Sequence, residues 1–160
     1  MPATPPFLRK LEENWLQIRE EFRAVQRDLV QWHEEDLNPN GGWQVYPIYG
    51  WPEGESIDGF TERVPFTAKL VRSLVPMHGA VGFSRLRAGH VIPPHEGLQL
   101  NFLRCHLGLD VPQGDIGMDV AGETFRWQEG KAFVFDDRKL HHVWNRTSQD
   151  RIILIIDFIP

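Results

Sequence analysis

Residues 93–109 read Pro93-Pro94-His95-Glu96-Gly97-Leu98-Gln99-Leu100-Asn101-Phe102-Leu103-Arg104-Cys105-His106-Leu107-Gly108-Leu109. From Leu98 to Leu109 an extended chain puts Leu100, Phe102, Arg104 and His106 on one face. Leu103, Cys105, Leu107 and Leu109 fall on the other, so the strand is expected to be buried on both sides. An arginine on such a strand is costly unless an anion meets it. Arg151 raises the same question, because it opens the apolar run Arg151-Ile152-Ile153-Leu154-Ile155-Ile156-Asp157. The anion is either an internal aspartate, as in an Arg104/Asp157 or Arg151/Asp137 ion pair, or a bound ligand.

Around this stretch lie further short β-like runs separated by Gly and Pro: Trp43 to Tyr49, Ala80 to Leu86, Glu123 to Trp127, Lys131 to Phe135, His141 to Asn145 and Arg151 to Phe158. With no helical period among them, they predict a mainly β sandwich or small barrel rather than an α/β sheet. The polar, irregular segment Trp51 to Lys69 is a candidate loop over the barrel mouth. Before the strands, Leu8, Leu11, Trp15, Ile18, Phe22, Val25, Leu29 and Trp32 recur at spacings of three and four. This predicts one long amphipathic helix over 5–37, capped by Thr4-Pro5-Pro6, stopped by Asn38-Pro39-Asn40-Gly41-Gly42, and laid against the domain as a scaffold rather than paired in a coiled coil. The expected organisation is a single domain over 1–160, with that helix and a core over 43–160.

The chain has 160 residues, with 17 Lys+Arg against 22 Asp+Glu and a formal charge of −5. This balance argues against a nucleic-acid partner or a general pull toward anionic lipid. Cys105, the only cysteine, excludes an internal disulfide and a Cys-rich zinc module, and fits a reducing, cytoplasmic setting. Met1 to Lys10 lacks the apolar stretch of a secretory signal, and Ile152 to Ile156 is too short to span a bilayer, so a soluble protein without a membrane partner is expected. Oligomeric state is left open.

Among seven histidines, position singles out two. His95 stands at the entry to a strand and His141 opens a later one, so a jelly roll could bring them together across a rolled sheet. Neutral imidazoles bind Fe, Zn, Cu or Ni, and two of them specify the metal poorly.

The segments Pro94-His95-Glu96-Gly97, Leu103-Arg104-Cys105-His106-Leu107-Gly108-Leu109, Phe135-Asp136-Asp137 with His141, Val143 and Trp144, and Arg151 to Asp157 resemble the aspartyl/asparaginyl β-hydroxylase family. Leu11-Glu12-Glu13-Asn14-Trp15 with Ile18-Arg19-Glu20-Glu21 resembles the opening of bacterial members. The resemblance implies a double-stranded β-helix (jelly roll, cupin-like) and an oxygenase dependent on Fe(II), 2-oxoglutarate and O2. It makes His95 and His141 the two protein ligands of iron. Gly97 stands where other such oxygenases carry a carboxylate ligand, leaving an open coordination position, and Asp137 is expected to hold the water that fills it. Arg151 and Ser84 would hold the distal carboxylate of 2-oxoglutarate, with Arg104 and His106 near the carboxylate that chelates iron and Trp43 lining the pocket. The implied reaction releases succinate and CO2 and hydroxylates a carbon beside a carboxylate or amide, as the β-carbon of an Asp/Asn-like amino acid, free, peptidyl or carrier-bound. Two rival readings use the same residues: a three-His iron dioxygenase with His106 as third ligand and no 2-oxoglutarate, or a non-enzymatic cupin-like binding module. Arg85 and Arg87 are further candidates for gripping a small anion.

Overall fold

The apolar runs pair into two antiparallel sheets in the computed structural model, which describes residues 4–160. Residues 1–3, the start of the Met1 to Lys10 stretch, lie outside the described residues. The larger sheet runs in the order β1 (Val30–Gln31), β2 (Trp43–Tyr49), β3 (His78–Leu86), β10 (Arg151–Phe158), β5 (Leu103–Asp110), β8 (Ala132–Phe135). The smaller is ordered β4 (Val91–His95), β9 (His141–Asn145), β6 (Ile116–Val120), β7 (Glu123–Phe125). This is the mainly β, cupin-like jelly roll that the strand pattern and the resemblance predict.

Alternation along the central strands sorts side chains between two cores. On β10, Ile152, Leu154 and Ile156 face outward with Phe83, Cys105 and Leu107, under the helices, whereas Ile153 turns inward to meet Ile92, Met118 and Val143 of the smaller sheet. The run Leu103 to Leu109 is thus buried on both faces as expected. Its polar members Arg104 and His106 share the inward face with Ser84 of β3 and Arg151 of β10, and all four line one internal cavity. At the far end of β9, Asn145 is fully buried. Its amide donates to the carbonyls of Leu86 (3.1 Å) and Gln149 (2.9 Å), while its Oδ1 accepts from the Thr147 hydroxyl (2.7 Å).

The structure corrects four expectations. The single helix over 5–37 is instead α1 (Phe7–Glu13) and α2 (Trp15–Val25), broken at Asn14, whose Nδ2 donates to the Lys10 carbonyl at 2.7 Å. Pro6, not Thr4, takes the N-cap position. Beyond Val25 the apolar period continues, but Val30–Gln31 pairs with β2, and Trp32 stacks on Trp43 at 4.1 Å between ring centroids. Aromatic stacking across a strand pair thereby overrides the helical pattern. Within the predicted loop 51–69 only Trp51 reaches the mouth of the barrel. The chain then forms α3 (Pro65–Leu74), with proline at the start of its first turn and Ala68 and Val71 buried on the outer core. Finally, Leu98 to Phe102 is irregular, and β5 begins at Leu103. Among the described residues no helix is long and apolar enough to cross a membrane.

Leu154 is fully buried on the central strand. Leu154→Ala is expected to lower unfolding free energy by about 2–5 kcal/mol, against less than about 0.5 kcal/mol for Met77→Ala on the surface, as measured by urea denaturation.

Candidate functional site

His95 ends β4 and His141 opens β9, and the two are register partners on adjacent strands of the smaller sheet, with ring centroids 4.2 Å apart. They meet as neighbours within one sheet rather than across the roll, and His95 closes its strand instead of standing at the entry to one. His95 Nδ1 lies 2.8 Å from the Pro93 carbonyl, and His141 Nδ1 lies 2.8 Å from the Lys139 carbonyl. A carbonyl only accepts, so each Nδ1 carries the proton and each Nε2 keeps its lone pair. Burial, the neighbouring His95 and Arg104 push the His141 pKa down to about 4 against the opposing bond to the Lys139 carbonyl, so the ring stays neutral. Two neutral imidazoles with fixed tautomers are suited to ligating a divalent transition metal.

Beside them, Gly97 donates its N–H to the Asp137 carbonyl at 2.7 Å. A Cβ at residue 97 would lie 2.5 Å from Asp137 Oδ2 and 2.7 Å from that carbonyl oxygen. The space a third ligand would take at residue 97 is therefore filled by the Asp137 turn, which leaves this carboxylate at the position. Burial raises the Asp137 pKa, Arg104 opposing it.

On the opposite wall, Arg151 is 1% exposed and meets no carboxylate among the described residues. Its Nη2 donates to Ser84 Oγ at 2.9 Å, its Nε has no partner, and its guanidinium lies 4.6 Å from the centre of the Trp127 ring. Burial alone drives its pKa down to about 9. Ser84 Oγ also accepts from Trp43 Nε1 at 3.0 Å. With two bonds accepted, its own proton remains to be donated. His106 Nδ1 accepts from Trp127 Nε1 at 3.1 Å, so the neutral ring holds its proton on Nε2. Burial, then Arg151, Arg104 and His141, keep it neutral by pulling its pKa well down. A buried cation and two free donors therefore share a cavity that, among the described residues, contains no anion of its own. Such a donor set fits a small dicarboxylate. The cavity is narrow, about 20 Å³ and room for a water or two.

Arg104 behaves differently. Its Nε and Nη2 hold Asp157 at 2.7 and 3.0 Å, and Nη2 is 3.7 Å from Asp137 Oδ2. Burial works against its charge, but Asp157 more than offsets this and holds it protonated. Of the two internal ion pairs open from the sequence, Arg104/Asp157 forms and Arg151/Asp137 does not. The Arg104 expected beside the cosubstrate thus lines the cavity with its guanidinium already paired. Among the described residues no three His, Cys, Asp or Glu side chains group as a ligand set, and His106 does not join the histidine pair. Arg85 is held by Gln44, and neither it nor Arg87 lines the site. Trp127 and its hydrogen bond to His106 had no signal in the sequence beyond aromatic content.

The family model described as Aspartyl/Asparaginyl beta-hydroxylase matches residues 12–160. The chain belongs to the aspartyl/asparaginyl β-hydroxylase family. Within this family it is 32% identical over 157 residues to the human aspartyl/asparaginyl beta-hydroxylase, covering 94% of this chain and 20% of that protein. It is 29% identical over 167 residues to an ornithine lipid ester-linked acyl 2-hydroxylase of Rhizobium tropici, covering 98% of this chain and 58% of that protein. The chain thus spans about a fifth of the first relative and under two thirds of the second. Among solved structures, the cupin domain of an XRE family transcriptional regulator from Enterobacter cloacae superposes with a TM-score of 0.50 at 13% identity, covering 74% of this chain and 98% of that one. The Schizosaccharomyces pombe Cnp3 cupin domain also gives 0.50, at 14% identity and 83% and 69% coverage. Both likenesses concern the fold alone.

Two outcomes test this geometry. Gly97→Ala must displace the Asp137 turn, so a loss of about 1–3 kcal/mol in denaturant stability is expected. For His141, the unfolded chain takes up a proton near about pH 6.5 and the folded chain only near 4. Between these values the unfolded state binds more protons, so stability is complete above the window and falls as the pH is lowered through it, by up to about 3 kcal/mol from this group. Urea titrations of metal-free protein should show that fall, with a shallower slope in His141→Gln.

Proposed function

We propose that this chain is an Fe(II)- and 2-oxoglutarate-dependent hydroxylase. The observation that carries the reading is the Arg151 guanidinium, buried without a carboxylate partner in the cavity that His95 and His141 also line. Iron(II), when bound, supplies O2 activation coupled to decarboxylation of 2-oxoglutarate, which yields succinate and CO2 and inserts one oxygen atom into a C–H bond.

The protein's part is binding, orientation and exclusion of water. His95 and His141 would hold the metal through Nε2, with each ring fixed by its Nδ1–H bond to a backbone carbonyl. Gly97 leaves a coordination position without a side-chain ligand, and Asp137 would accept a hydrogen bond from water placed there. Arg151 and the free Ser84 proton would hold the distal carboxylate, while His106 Nε2–H would donate to the carboxylate nearer the metal. Arg104, clamped by Asp157, would add positive potential at that end rather than a free fork. Trp43, bonded to Ser84 and stacked on Trp32, closes the cavity on the outer side.

The names of the two relatives place their hydroxyl groups on the β-carbon of an aspartyl or asparaginyl residue and on the 2-position of an acyl chain. Both are carbons adjacent to a carbonyl group, and we assign the same chemistry here, on an amino-acid-like molecule or peptide. A soluble, cytoplasmic setting accords with this reading.

Calorimetry of 2-oxoglutarate binding to the Fe(II) protein without O2, followed by succinate assay with O2, tests it. Arg151→Met is expected to weaken cosubstrate binding at least about a hundredfold, because a buried carboxylate is left unpaired. His95→Ala and His141→Ala should lose iron, whereas His142→Ala, whose side chain lines neither cavity nor groove, should retain it. O2 consumption indifferent to 2-oxoglutarate would overturn the assignment.

A further inference from the structure

Outside the histidine pair, a groove of about 350 Å³ leads to bulk solvent. Trp43, His95 and Arg104 line both it and the inner cavity, so it is the approach by which a substrate carbon reaches the metal position. Trp32, Trp51, Leu98, Leu100 and Phe102 supply apolar walls. Leu98 is 66% exposed and Trp51 45% exposed, so large apolar surface is left uncovered at this mouth. The charges are one-sided. Glu34, Glu96, Asp137 and Asp157 face the groove, and its only guanidinium is that of Arg104. Arg104 engages Asp157 through Nε and Nη2, with Asp137 Oδ2 3.7 Å from Nη2, so among the described residues the one guanidinium of the groove is already paired.

A substrate bearing an anionic side chain would have to enter a groove where four carboxylates face one guanidinium that is already paired, a like-charge contact that disfavours binding. A cation would be drawn in by the rim carboxylates and by the faces of Trp32 and Trp51. We propose that the substrate is a small soluble amphiphile, an ammonium group joined to an apolar chain, with the ammonium at the Glu34 and Glu96 rim and the chain running along the tryptophans toward His95. This narrows the Asp/Asn-like expectation to molecules without a free side-chain carboxylate. It rests on the hydroxylase reading for what happens at the inner end, and on the groove alone for selectivity.

The test is a matched pair of probes, N-(2-aminoethyl)hexanamide and N-hexanoylglycine, which share an acyl chain and differ in the sign of the terminal charge. Binding to the metal-free protein is read by quenching of tryptophan fluorescence at pH 8 and low salt, since three tryptophans line the groove. The ammonium probe is expected to bind about tenfold more tightly, with the gap narrowing in high salt and in the Glu34→Gln/Glu96→Gln double variant, as screened surface charges require. Equal or reversed affinities, or no binding of either probe, would overturn the proposal. Cosubstrate binding and succinate formation on the same preparations separate the two readings. Succinate without charge preference refutes the substrate class alone, and charge preference without 2-oxoglutarate binding refutes the hydroxylase alone.

Discussion

The site is organised by the burial of a guanidinium in an apolar interior without a counter-ion. Arg151 opens the central strand of the larger sheet, with Leu86 as register partner and Ser84 two positions along on β3, so backbone pairing fixes where its charge lies. Folding holds that charge against its desolvation, and the interactions it finds, a serine hydroxyl and an indole face, are too weak to neutralise it. A carboxylate arriving from solution gains the interaction the fold withholds. Arg104, on the next strand, shows the ordinary solution to the same problem, a bidentate internal aspartate. Two arginines with the same sequence signal thus have different fates.

Much of this was legible from residue order. Alternation on Leu103 to Leu109 fixed which side chains share a face, because successive residues of a strand point to opposite sides, while which face turns inward came from the packing of the two sheets. The turn at 136–140 placed His141 at the opening of its strand, whereas His95, expected at the entry to a strand, ends β4 because Val91–His95 pairs with β9. What sequence could not supply was the choice between competing partners for a buried charge, since Asp137 and Asp157 are equivalent candidates until the turn geometry is known. Only the packed structure shows Asp137 filling the space beside Gly97. The N-terminal helix failed for a related reason. Its apolar period runs on through Leu29 and Trp32, but Trp32 finds a better contact on Trp43 than on a continuing helix.

The helices cover the outer face of the large sheet and take no part in the cavity. They bury one side of β10 and β5 and leave the other side to chemistry. The inner face can therefore carry polar groups that would be unsafe in a sheet solvated on one side, because the outer core supplies the stability they withhold.

Two imidazoles stand next to one another at the start of β9, and only one of them belongs to the cavity. A slip of a single residue against β4 would exchange His141 for His142 without removing a histidine from the position, so composition alone does not protect the pairing with His95. A restraint lies at the opposite end of the strand, where the Asn145 amide donates to the carbonyl of Leu86 at the end of β3 and to that of Gln149 in the turn before β10, bonds that a one-residue slip would break. A polar residue at the far end of the strand thereby helps set which ring faces the cavity.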